Sequence, residues 1–124
     1  MIYDEFLTRV IDDGLAAATD DYQRVDESEH LRGSIDGFEQ CRHKLPHELA
    51  LLLDSANEDA YRLSIKCASD YWYWQCRALE IEWTCNCVSA LLLNEGSAPL
   101  ASHLPTARGM LKMAEIVGVK SVEA

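Results

Sequence analysis

Basic residues are scarce in this chain: 11 Lys and Arg stand against 21 Asp and Glu, for a net charge of −10. A surface that acidic repels phosphate backbones and anionic headgroups, which argues against direct binding to nucleic acid or to a membrane surface. Long apolar runs are missing too. The longest, Leu49–Leu53 and Ala90–Leu93, fall far short of the ~20 residues a membrane span requires. Proline and glycine number only three and six, and neither occurs anywhere in the 48 residues from Glu48 to Glu95. With helix breakers absent over such a length, the chain reads as all-α. The N-terminus, Met1 to Val10, has no basic segment followed by an apolar one, so it is not a signal peptide. Five cysteines make an odd number and fit buried thiols in a reducing cytoplasm better than a disulfide framework. A cytoplasmic location is therefore expected.

Motifs for chemistry are lacking as well. There is no nucleophile elbow, phosphate-binding loop, dinucleotide fingerprint or paired-cysteine redox motif. His43 and His47 have i,i+4 spacing, but Pro46 between them starts a new helix, so they do not share a face. Cys85 and Cys87 diverge by about 200° on a helix, and no second pair completes a tetrahedral site. No catalytic residue, metal or cofactor is expected, and the protein is read as not being an enzyme. Glu82 is the one carboxylate placed between apolar stripes, beside Gln75, Asn86 and Ser89. It is read as a register-setting polar group, with general acid or base work as the alternative. Residues Ala114 to Ser121 imitate the first helix and turn of a helix-turn-helix. Only Val122, Glu123 and Ala124 remain for a recognition helix, so DNA reading is not expected.

What the chain does contain is 48% hydrophobic residues with 26% charged, a globular composition of single-domain length. Acidity is concentrated early: residues 1–40 hold 11 Asp and Glu against three Arg. A first helix is predicted from about Tyr3 to Tyr22, with Tyr3, Phe6, Leu7, Val10, Gly14, Ala17 and Ala18 on one face, widened by Ile11 and Leu15. Opposite them lies an acidic stripe of Glu5, Asp12, Asp13 and Asp20. A second helix is predicted with Asp26 as its cap and Glu29 completing a capping box. Leu31, Ile35 and Phe38 form its stripe, and Ser34, Gly37 and Cys41 form a small-residue flank for close helix approach. Together these acidic helices occupy 3–44.

Pro46 suits the first turn of a third helix. One helix spanning Glu48 to Glu95 would be roughly 70 Å long, whereas a compact chain of this size is about 35 Å across. The run must therefore break, and the Ser55–Glu58 capping-box pattern is the predicted place. This gives a helix over 46–55, a long helix over about 57–95, a linker over 96–104 with Gly96 as helix stop, and a last helix over 105–117. The last helix carries Ala107, Met110, Leu111, Ala114 and Val117 on one face. The predicted architecture is an antiparallel bundle of about five helices around one long central helix.

Projected at 100° per residue, the long helix has two opposed apolar stripes. One holds Tyr61, Ile65, Trp72, Cys76, Leu79, Trp83 and Ala90; the other holds Leu63, Cys67, Trp74, Ala78, Ile81, Cys85 and Leu92. Tyr71 to Trp74 point in four directions and form no stacking platform. A surface helix needs only one apolar stripe, so the second implies burial against a partner. The first stripe is assigned to the fold. The second, with Leu63, Trp74, Ile81 and Leu92, is assigned to a protein interface, a homodimer or higher oligomer being the commonest form.

Four segments also carry a resemblance: Asp12-Asp13-Gly14, the run Asp36 to Arg42, Glu80-Ile81-Glu82-Trp83, and the run Pro105 to Lys112. In these the chain resembles the small helical proteins of unknown role encoded by bacteriophages and prophages. The resemblance implies an accessory protein that inhibits or modulates a host complex by covering a surface. The acidic N-terminal helices would then supply complementarity to a basic partner. Two alternatives stand beside this: an assembly subunit of a larger, virion-like homo-oligomer, and a DNA-mimic inhibitor whose carboxylates imitate phosphates.

Overall fold

The computed structural model describes residues 2–94. Every regular element among them is helical. The predicted stop at Gly96, the linker over 96–104 and the helix over 105–117 lie outside the described residues. So does the fifth member of the predicted bundle.

Helix α1 spans Ile2–Asp21 and buries Leu7, Ile11 and Ala18, while Ala17, expected on the same face, is exposed. At its start the Tyr3 hydroxyl donates to the Lys44 carbonyl at 2.6 Å, tying α1 to the turn after the second helix. Near its middle, Gly14 leaves room for the Phe38 ring.

Helix α2 spans Ser28–Cys41. It begins one residue later than an Asp26 cap would place it, because Val25–Glu27 form a single 3-10 turn. The capping roles shift accordingly. The Glu27 carboxylate accepts the Arg24 backbone N–H at 3.2 Å, and Asp26 is instead held by the Arg24 guanidinium at 3.0 and 3.1 Å. The small-residue flank is the most deeply buried part of α2: Gly33, Ser34, Gly37, Phe38 and Cys41 all face inward. After Arg42, His43 takes a left-handed backbone conformation (φ 63°) that turns the chain towards the next helix.

Helix α3 spans Pro46–Lys66, with proline in its first turn and the Glu48 carboxylate accepting the Leu45 backbone N–H at 2.8 Å. It runs straight through Ser55–Glu58, where the break was predicted. The reason lies in its buried face: Leu49, Leu53, Ala56, Ala60 and Ser64 form one stripe that crosses the capping-box residues without a gap. A cap contributes about 1 kcal/mol, whereas burying leucine-sized side chains contributes about 1.5–3 kcal/mol each, so the stripe prevails.

The chain breaks instead where the stripe ends. Cys67 adopts an extended conformation (φ −136°, ψ 98°), and Ala68–Asp70 make a 3-10 turn closed by the Asp70 N–H on the Cys67 carbonyl at 3.1 Å. Helix α4 follows over Tyr71–Asn94. Helix α4 thus begins 14 residues later than the predicted long helix, and its 24 residues extend about 36 Å, matching the diameter of a compact chain.

Helix α4 packs along both α2 and α3, and α1 lies mainly on α2 while also reaching α4. The α3–α4 pair is antiparallel. The Gln75 amide donates to the Ser64 hydroxyl at 3.2 Å near one end, and the Cys85 thiol lies 3.5 Å from the Leu49 carbonyl near the other. The core gathers Leu7 and Ile11 from α1, Phe38 and Cys41 from α2, the α3 stripe, and Ala78, Ile81, Cys85 and Val88 from α4. No helix among the described residues is long and apolar enough to cross a membrane.

Candidate interaction surface

The two opposed stripes of α4 take the opposite roles from those expected. Ile81 is fully buried in the intramolecular core with Ala78 and Cys85, and Trp74 and Leu92 pack partly buried against it. Leu63 lies on α3 and is half-buried. Of the four predicted interface residues, Trp74, Ile81 and Leu92 therefore belong to the fold rather than to an open surface, and Leu63 is on another helix. The cause is the close seat of α2. A Cβ at Gly37 would lie 2.6 Å from the Arg77 carbonyl oxygen, and one at Gly33 would strike the Tyr73 carbonyl. This approach fixes the rotation of α4 so that the Ile81 side turns into the wedge between α2 and α3.

The other stripe is the one left in solvent. Trp72 and Trp83 are each 47% exposed, Ala90 is exposed and Leu79 is half-buried. Three turns of helix separate the two tryptophans, so they share a face about 16 Å apart. Tyr61 and Ile65, also assigned to the fold by periodicity, stand exposed on the neighbouring length of α3. Of that predicted stripe only Cys76 is buried. Trp72 is held in place: its ring stacks on His30 at 4.7 Å, His30 meets Tyr22 at 5.3 Å, and Tyr71 approaches edge-on at 4.9 Å. The predicted splaying of Tyr71 to Trp74 is seen. Trp72 faces outward, while Tyr73 turns to α2 and donates its hydroxyl to Asp36 at 2.5 Å.

The charged residues of α4 are turned inward. The Arg77 guanidinium donates to Gln40 at 2.9 Å, pairs with Asp59 at 3.3 Å and lies over the Trp74 ring at 5.7 Å. Glu80 accepts a hydrogen bond from the buried Ser34 hydroxyl at 2.7 Å, and burial pushes its carboxyl up to about 7. Glu82 is fully buried and has one oxygen with no hydrogen-bond partner; its other oxygen lies 3.5 Å from the Asn86 amide. Burial pushes its carboxyl up to about 8. The expected company of Glu82 is present in part, since Gln75 turns away to α3. Only the position of α2 reveals the inward turn of Glu80 and Arg77.

The thiols follow the same logic. Burial raises Cys41 to about 12 and Cys76 to about 11, and it also raises Cys85 and Cys87. Thiols held in the protonated form are poor nucleophiles and poor metal ligands. No cluster of three or more His, Cys, Asp or Glu side chains suited to a metal ion occurs among the described residues.

Along α1, Glu5, Asp12, Asp13 and Asp20 are all exposed, as expected. Asp4, Glu5, Thr8, Arg9, Asp12 and Asp13 border a shallow surface depression. The row is interrupted, because Arg42 bridges Asp12 at 3.0 Å and Arg9 lies within it. No family model, no curated protein and no solved structure matches this chain.

Proposed function

We propose that this chain is a non-enzymatic protein-binding factor that docks through the outer face of α4, centred on Trp72 and Trp83. One observation carries the reading: two half-exposed tryptophans three turns apart on a single helix face, one of them fixed by ring stacking. Half-exposed, pre-positioned tryptophans are the usual anchors of protein interfaces, since they contribute large apolar area at low entropic cost. The acidic row on α1 serves such a factor by steering it towards basic partners and by keeping it soluble. An accessory protein of phage type, modulating a host complex by occluding a surface, is the concrete form of this proposal.

The test is affinity capture from lysate of the source cells at low salt, comparing the native chain with Trp83→Arg. Specific capture that the substitution abolishes is the expected result. Equal capture by both proteins moves the docking site elsewhere, and no capture at all counts against the host-partner form. The DNA-mimic alternative is supported by the exposed carboxylates of α1. It expects binding to survive Trp83→Arg and to fail when Asp12 and Asp13 are both changed to Asn.

A further inference from the structure

We infer that the outer face of α3 and α4 is the surface on which a second copy of this chain binds. The inference rests on the reading of that face as a protein-docking surface and names its occupant. Three observations converge on it.

The first is area. Aromatic side chains offer about 150–250 Å² each, so Trp72, Trp83 and Tyr61, exposed by 47%, 47% and 75%, together present roughly 250–420 Å². Ile65 and Leu93, also largely exposed, extend the apolar surface. The total reaches the few hundred Å² at which an exposed apolar patch marks an interaction site, as the apolar centre of an interface of ~800 Å² per partner.

The second is charge. Arg77, Glu80 and Glu82 are the only charged residues of α4, and none is exposed. A basic partner would find nothing to pair with on this helix. A second copy of a chain with net charge −10, by contrast, is repelled least where it meets α4. On the α3 part of the face the exposed Glu58 stands beside the exposed Arg62 and Lys66, so no negative charge accumulates there. Residues 1–40 hold 11 Asp and Glu against three Arg, whereas residues 41–94 hold seven against five.

The third is symmetry. A twofold interface must be self-complementary, and two antiparallel α4 helices crossing between the tryptophans bring Trp72 of each copy beside Trp83 of the other. Because His30 already holds Trp72, little side-chain freedom is lost on pairing.

The experiment is sedimentation equilibrium of the full chain at tens of micromolar, beside Trp83→Arg and Ile65→Arg on the face and Thr8→Arg on α1. The native protein is expected at twice the 13.9 kDa chain mass. Thr8→Arg should match it, since Thr8 is exposed in the acidic row of α1. Each face variant should retain native helical circular dichroism and associate about thirtyfold more weakly. If Trp83→Arg fails to fold, Ile65→Arg decides alone. A dimer that both face variants leave intact overturns the inference, and so does a native monomer. In a monomer, acrylamide quenching of the emission lost in Trp83→Phe tells two cases apart. A shielded Trp83 means that another segment of the same chain covers the face, and the docking reading fails with the dimer. A quenchable Trp83 removes the dimer alone and leaves the docking reading to the capture experiment.

Discussion

Gly37 shows how much a single missing side chain can decide. Its Cα sits so close to α4 that an added methyl would meet the Arg77 carbonyl at 2.6 Å, and a backbone oxygen inside a helix cannot swing aside. Gly37→Ala gains about 1 kcal/mol of helix propensity, but overpacking against a fixed backbone costs about 1–3 kcal/mol. A net loss of about 1 kcal/mol is expected in urea unfolding, in contrast to the gain that an exposed helical glycine would show. Glu82 makes its effect through protonation. Its carboxyl is raised to about 8 by burial, so the folded state holds the proton more tightly than the unfolded chain. The stability linked to that proton is complete below the unfolded value near pH 4.5 and is lost as pH rises through about 8. Glu82→Gln should therefore gain on the native protein as pH rises, by on the order of 4 kcal/mol between pH 5 and pH 9. Urea melts of both proteins at the two pH values measure this. A difference that does not change with pH would mean that the carboxyl is already ionised in the fold.

At the scale of the element, the informative comparison lies between Ser55 and Cys67. Both lie inside the glycine- and proline-free run, and Ser55–Glu58 has the better capping-box pattern. The chain breaks at Cys67 because the α3 stripe that begins at Leu49 ends at Ser64. The signal for the true break is present but modest: Ser69 and Asp70 are cap-forming residue types immediately before the first turn of α4. The sign of one substitution discriminates between the two places. If Ser55 capped a helix, Ser55→Ala would lose about 1 kcal/mol. At an exposed position inside α3, the same change should gain a few tenths of a kcal/mol through helix propensity. Thermal unfolding resolves a difference of that size. Helices α1 and α2 were legible because each has one dominant apolar or small face; only the cap of α2 was misplaced, by a 3-10 turn that side-chain pattern does not encode.

For the whole molecule, the decisive property is the placement of charge on α4. The Trp72–Trp83 side of α4 carries no charged residue, because α4 turns its own charges into the core. Its internal ion pair of Arg77 with Asp59 and the Ser34–Glu80 hydrogen bond tie three helices together. A change that exposes them by loosening α2 should therefore weaken the presentation of the tryptophans as well. The capture and sedimentation experiments address this scale directly, since each asks whether the Trp72–Trp83 face is covered and by what.

The amino-acid sequence by itself determined that the chain is helical, where α1 and α3 begin, that α2 has a flank built for close approach, and that α4 has two apolar stripes. All of these are local properties, readable from the 3.6-residue period, the position of proline and the size of side chains. Which stripe faces the core was decided only by tertiary structure. The Ile81 and Trp83 sides of α4 are similarly apolar, and nothing along α4 alone favours one over the other. The choice is made by the shapes of its neighbours: Gly33 and Gly37 let α2 lie against the backbone of α4, and the stripe of α3 closes the other side. Periodicity reports which residues share a face; only packing reports what that face meets.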